Sequence, residues 1–415
     1  MSAPSADGGD AVSTTSPFED QRSPLPGRHQ LPAHFSGVSV VPHPRRKARR
    51  GLVFGILGGV LVVAACAAVQ IGANLRFDDA AAEHVAVGAQ AMDARSALDE
   101  ENADLAITTS AAEKIIAGNT GALMESAPID AFSAAIGEAK ETSAAADELL
   151  TTDIPTVSSK PGWFWELFGT ADALDGQTED MHAFVTDLEQ QSPEIDDART
   201  TVTETGVAVL AAAAAAAPAF ETAHISARNL DVIALRDAAA GAATVTTIDD
   251  TAVERLAALQ SAAAQVVVSQ DAELAEKSGP LMNARLEVEA FARSLAPGVL
   301  LEFDWAPVVS GAGYNGSMGG YTTWWWNDPD RAVIQLSNSV AEQWPAERSR
   351  ALVAHEVGHA ISVKCENMYD SSTQDSIEKW ATAWAISMGF TDDANGVWAY
   401  GYPPQSYIDA AAGCR

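Results

Sequence analysis

Apolar residues between 79 and 295 recur at three- and four-residue spacing. Ile115 and Ile116, Leu123, and Leu149 and Leu150 show it, as do Leu256, Leu259 and Val266. This is the period of a helix with one buried stripe. It predicts helices near 79–117, 121–151, 171–190, 195–228, 249–277 and 280–295. The predicted breaks fall at Gly118-Asn119, from Pro155 to Gly162, at Ser192-Pro193, between Ala239 and Thr247, and at Gly279-Pro280. Such helices pack as an antiparallel bundle or stalk over residues 74–296. Ahead of it, residues 51–73 carry no charge and stay strongly apolar to Val69. At 1.5 Å per residue that stretch spans about 33 Å, enough for one transmembrane helix. Past Pro297-Gly298 the pattern changes. Val299 to Trp305 alternates and reads as a strand. Tyr321 to Trp326 and Ala332 to Ser337 are β-prone, with a Gly-rich loop at 311–320 and a turn at Asn327 to Asp330. Trp344-Pro345 leads into another helix. The predicted fold is mainly α, ending in a small α+β domain at 297–415.

Charge refines this division. The chain carries −31, yet residues 1–50 hold seven Lys/Arg against four acids, so the remainder carries −31 − 3 = −34. That acidity excludes nucleic-acid binding, which needs phosphate neutralisation, and suits a soluble face outside a cell. Residues 1–50, rich in Ser, Pro and Gly at their start, read as a disordered cytoplasmic tail. Five basic residues, Arg45, Arg46, Lys47, Arg49 and Arg50, directly precede the apolar stretch. They orient it as a signal-anchor with the N-terminus inside. Val63-Ala64-Ala65-Cys66 offers a rival, since it resembles the lipobox before a lipid-modified cysteine. Either anchor puts the rest of the chain outside the cell membrane.

The chemistry concentrates in residues 352–361, L-V-A-H-E-V-G-H-A-I. On a helix, His355 and His359 lie one turn apart on one face, so two imidazoles can reach one metal ion. Glu356 projects beside them, where a carboxylate can take a proton from water. The competing account is an ordinary helix with two internally bonded histidines. His84, His182 and His224 stand alone and are not read as ligands.

This H-E-x-x-H stretch resembles the zincin metallopeptidases. The resemblance covers about the last 120 residues. It implies Zn²⁺ on His355 and His359, Glu356 as general base, and a third ligand from downstream. No His follows His359, so the gluzincin form fits better, with a Glu from the next helix. Glu378 lies 378 − 359 = 19 residues on, and its E-K-W-A-T-A-W-A surroundings are similar to the E-x-x-A-D helix of bacterial zinc peptidases. Asp375 is the rival third ligand. The sequence departs from that helix at Thr382, where the family has an Asp that orients the first His, so support for His355 is in question. The resemblance also implies substrate backbone added to an edge strand, 332–337 or 321–326. It implies a hydroxyl donor to the oxyanion, for which Tyr314, Tyr400 and Tyr402 are candidates. Trp324-Trp325-Trp326 either lines a subsite or fills the core.

Two further features stand apart. Outside the membrane, Cys365 and Cys414 suggest one disulfide; a Cys ligand to the metal is the alternative. Trp163-Phe164-Trp165, with Leu167 and Phe168, forms an apolar knot read as core packing or as a membrane or partner contact. Two functions follow. One is a membrane-anchored, extracytoplasmic zinc metallopeptidase acting on peptides or proteins. The other is a non-catalytic cell-envelope scaffold or sensor with a degenerate zincin domain, its bundle binding an envelope protein.

Overall fold

The computed structural model describes residues 50–415, with side chains from residue 58 onward; the disordered tail expected at 1–50 lies almost wholly outside them. The described chain is mostly helical, with one small sheet near its C-terminal end. It divides into two units, the first ending at residue 67 and the second spanning 68–415. In the first, residues 50–67 are helical and every described side chain is exposed.

The second unit begins within helix α1 (Arg50–Ala117), followed by α2 (Ser126–Leu150), α3 (Phe164–Ala223), α4 (Asn229–Ala243), α5 (Asp250–Glu276) and α6 (Met282–Leu295). Their buried stripes are Ala-rich: Ala139 and Ala146, Ala213 and Ala217, Ala239 and Ala242, and Ala252 and Ala263 join Leu98, Leu105, Phe132, Leu188, Leu210 and Leu259 in one core. A second, smaller cluster links α1 to the start of α3 through Ala73, Phe77, Ala80, Leu167, Ala171 and Leu174. Asp249 caps α5 by accepting from the Ala252 N–H at 3.0 Å.

Several helix boundaries differ from expectation: α2 begins at Ser126 and α3 at Phe164, and α4 runs to Ala243, into the break expected from Ala239. The break expected at Ser192-Pro193 is absent: α3 runs 60 residues through Pro193 and Pro218. A proline inside a helix removes one hydrogen bond and costs about 3 kcal/mol. Leu188, Gln191, Ile195 and Val202 are buried on both sides of Pro193, so packing of the flanking turns offsets that cost. Conversely, the helix expected to reach residue 228 stops at Ala223, and α4 was not anticipated. Its core face is Val232, Leu235, Ala239 and Ala242, a regular stripe. Two helices, Gly58–Ala117 and Phe164–Ala223, are long and apolar enough to cross a membrane by length and composition.

The sheet has the order β1-β3-β2, with β1 (Leu300–Ala306) parallel to β3 (Asp328–Ser337) and β2 (Gly320–Trp325) antiparallel to it. Helices α7 (Asn338–Glu342), α8 (Glu347–Ser362), α9 (Gln374–Ser387), α10 (Val397–Tyr400) and α11 (Gln405–Ala411) complete this part. Its core is built from large side chains: Phe303, Ile334, Leu336, Ile361, Trp380 and Trp384. Helix α6 sends Val288 and Ala292 into this core rather than into the bundle's. Buried polar groups fasten the two. The Asn229 amide donates to the Ala332 carbonyl at 2.9 Å, and the Asn229 N–H to Glu302 at 2.8 Å. Lys277, itself buried, pairs with Glu273 and Glu289 at 3.2 Å each, which satisfies charges that would be costly alone.

Candidate metal centre

Helix α8 is buried all round from 353 to 362, as a helix at the centre of a domain must be. Its His355 and His359 Nε2 atoms stand 3.2 Å apart. Helix α9, capped at its start by Thr373, crosses it and brings Glu378. The Glu378 Oε2 lies 3.2 Å from His355 Nε2 and 3.1 Å from His359 Nε2. Among the described residues these three form the one cluster able to hold a metal ion. Asp375 is elsewhere, exposed and paired with Lys379 at 2.8 Å. His84 bonds the Pro155 carbonyl and Thr178, and His224 bonds the Phe220 carbonyl.

The triangle fits a metal. Ligand atoms about 2.05 Å from a tetrahedral ion stand about 3.3 Å apart, close to the three observed edges. The proton arrangement points the same way. His355 Nδ1 lies 2.9 Å from the Asn395 carbonyl. A carbonyl only accepts, so the ring proton sits on Nδ1, and in the neutral imidazole Nε2 presents a lone pair. That lone pair faces another lone-pair donor, the Glu378 carboxylate. Such an arrangement needs a cation between the two, or else an extra proton. Burial pushes the Glu378 carboxyl up, but hydrogen bonds and charge from the two imidazoles outweigh it and hold the group well below the usual carboxylate range. Gln374 Nε2 donates to the other Glu378 oxygen at 2.8 Å and fixes its orientation.

The orienting contact to His355 comes from an unexpected quarter. Thr382 Oγ1 is 3.4 Å from Nδ1 and donates to the Glu378 carbonyl at 2.8 Å. The shorter bond is to Asn395, in a 3-10 turn at Asp393–Asn395. Asn395 is buried; its amide donates to the Phe390 carbonyl at 2.9 Å, and its Oδ1 accepts from Val397 N–H at 3.0 Å. Gly396 follows at φ 106°, and a Cβ there would come within 2.7 Å of the His355 ring. Only glycine satisfies both the backbone angle and the approach.

Glu356 sits beside the triangle. Its Oε2 accepts from Thr322 Oγ1 at 2.7 Å, and Gly320 presses so close that any Cβ would overlap the carboxylate. Burial raises its pKa to about 7, against the lowering effects of His355 and of the Thr322 hydrogen bond. A cavity of about 120 Å³ joins these groups, lined among others by Ser310, Tyr321, Trp324 and Tyr400. Trp324 stacks on His359 with centroids 5.2 Å apart, and Tyr400 stacks on His355 at 5.8 Å. Of the three candidate tyrosines only Tyr400 lines this cavity; burial and the charges of Glu378 and Glu356 push its hydroxyl up to about 12. Tyr314 and Tyr402 are largely exposed.

Two other expectations meet the structure here. Residues 332–337 lie in the central strand, paired on both sides, and offer no edge; β2 is an edge strand and borders the cavity. Cys365 and Cys414 form a disulfide, which excludes a Cys metal ligand. Its loop encloses Glu378, Asn395 and Tyr400. Gln374, Asn395 and Ser310 escaped the sequence reading. Asn395 acts through its backbone, which no side-chain motif records; the Asn-Gly pair at 395–396 was the available signal. No protein-family model matches this chain, and no curated protein or solved structure matches it.

Proposed function

We propose that this protein is a membrane-anchored, extracytoplasmic zinc metallopeptidase of zincin-like type. One observation carries the reading: three donor atoms of His355, His359 and Glu378 converge with edges of 3.1–3.2 Å beside the buried carboxyl of Glu356. Two imidazoles and one carboxylate suit zinc among the common divalent ions. Bound there, zinc would make water acidic enough to attack near neutral pH and would polarise a carbonyl. Glu356, held by Thr322, takes the proton of the attacking water and passes it to the leaving amine. Tyr400, kept protonated, donates its hydroxyl to the developing oxyanion. The free side of β2 accepts substrate backbone by strand addition.

Residues 51–73 supply the anchor as one span, with the basic cluster on the cytoplasmic side. Helix α3 stays in the bundle, because Leu188, Ile195, Val202 and Leu210 are buried there. Lipidation of Cys66 is the alternative anchor. The bundle is the surface open to an envelope protein partner.

The test uses the full chain in nanodiscs, measuring bound metal and cleavage of a peptide library by mass spectrometry. Wild type should hold about one equivalent of zinc. Glu356→Gln should keep the metal and lose cleavage by roughly 10²–10⁴-fold. Equal cleavage by both, or a wild type without metal, overturns the proposal. Zinc retained with no turnover in wild type would favour the scaffold or sensor. Thr382 in place of an Asp favours the scaffold reading only if nothing else orients His355, and the Asn395 carbonyl, 2.9 Å from Nδ1, does so.

A further inference from the structure

We propose that the aromatic knot at the start of α3 is a membrane-surface contact that seats the base of the bundle at the lipid headgroups. The proposal rests on residues 51–73 being a membrane span.

Helices α1 and α3 run parallel where residues 70–84 of α1 meet the start of α3. Gln70 Nε2 donates to the Gly162 carbonyl at 3.2 Å, and Phe164 N–H donates back to Gln70 Oε1 at 3.0 Å. Further along, Arg76 bonds Asp172 and Asp175 at 3.1 and 2.6 Å, and Thr178 lies 3.3 Å from His84. Over this stretch the partners differ by 92 to 99 residues. Trp163, Trp165 and Phe168 therefore stand level with residues 69–74 of α1. These are the last uncharged turns of that helix; Arg76 is the first charge after Arg50.

At this level apolar surface faces outward. Trp163 is 60% exposed and Trp165 56%, their rings stacked with centroids 5.1 Å apart. Ile71 and Leu75 of α1 are also exposed. Phe164 and Leu167 turn inward against Phe77 and Ala80, so they, not the tryptophans, do the core packing. Along the rest of the bundle, the exposed large apolar side chains, such as Val85, Met92 and Val268, include no aromatic ring. Indole rings, apolar with one N–H, partition to the boundary between acyl chains and headgroups. Lys160, bonded to Asp78 at 2.6 Å, and Arg76 lie just beyond, at the height of lipid phosphates. A protein partner would not require the aromatic residues to coincide with the end of the uncharged run; a bilayer does.

The chain contains its own probe. Eight of its ten tryptophans lie in residues 297–415, leaving only Trp163 and Trp165 in the bundle. The full chain is reconstituted in nanodiscs containing lipids brominated high on the acyl chain, and tryptophan emission is compared with that in unbrominated discs. Bromine should quench wild-type emission by up to about a fifth, the share of two tryptophans in ten. Trp163→Phe/Trp165→Phe, which keeps the apolar volume, should abolish the difference. A wild type that enters the discs but shows no quenching overturns the contact and leaves the anchor standing. Quenching that persists in the double variant also overturns it. A chain that does not enter the discs, judged by co-migration on gel filtration, overturns both the span and the contact.

Discussion

The bundle and the C-terminal domain bury their cores by opposite means. Alanines line the buried faces of α1 to α5, and few aromatic side chains join them. The domain around α8 buries Trp380 and Trp384 completely and packs Phe303, Ile334 and Leu336 around them. Alanine lets helices approach closely but contributes little apolar area per residue. It builds length. Large side chains fix a few elements against one another, which a cluster with 3.1–3.2 Å edges requires. The contrast assigns extension to one region and precision to the other, and it can be broken at either end.

The largest expected effect is on the precise region. Cys365→Ser/Cys414→Ser opens a loop of sequence separation 49 that holds Glu378, Asn395 and Tyr400. It should cost about 4 kcal/mol by the loop-entropy account. Calorimetry should show the domain's transition falling while the bundle's stays. A common shift of both would mean that the two regions do not unfold separately.

Next comes a pH effect in metal-free protein. Burial raises the Glu356 pKa to about 7 from an ordinary 4.5, so its stabilising contribution is complete below about 4.5 and is lost as pH rises through 7. Glu378, held low, works the other way: its contribution is present above about 4.5 and is lost progressively as pH falls below that. Between pH 4.5 and 8 the stability should therefore fall by on the order of 3 kcal/mol. Glu356→Gln should flatten that slope in urea titrations; an unchanged slope would show that another group is responsible.

A smaller effect belongs to the extended region. Pro193→Ala restores a hydrogen bond inside α3 and should stabilise the bundle by about 2 kcal/mol, most of the intrinsic helix penalty of proline. A neutral or destabilising result, read from the bundle's melting temperature, would mean that the proline bends the helix to fit its neighbours. The smallest effect is at Thr382. Its 3.4 Å contact to His355 is weak beside the Asn395 bond. Thr382→Ala should change zinc affinity, measured by chelator competition, by less than the 10–100-fold typical of residues that orient a ligand.

What the sequence disclosed follows the same division. The pair His355 and His359 was legible because helical geometry maps a spacing of four onto one face; Glu378, on the next helix, was reached only through the resemblance to the zincins. The three strands were legible from alternation and turn residues, although β3 begins four residues before Ala332 and takes in Pro329. The continuity of α3 was not, because a local helix-breaking signal at Pro193 loses to packing by residues distant in sequence. Helix α4 was missed because no Gly or Pro separates it from α3; the break falls at 224–228. Asn395 was illegible for a different reason. Its functional atom is a carbonyl oxygen common to every residue, and only the fold aims it at His355.

The parallel run of α1 and α3 has one more consequence. Sixty residues of α3 advance roughly 90 Å at 1.5 Å each, and Asn229, five residues past the C-cap of α3 at His224, is already bonded to the sheet. On the proposed placement of its foot at the lipid, the metal-binding triangle stands about two full bilayer thicknesses away. Under the peptidase proposal, polypeptides lying flat on the membrane are then out of reach, and the substrates that fit are those projecting well away from it.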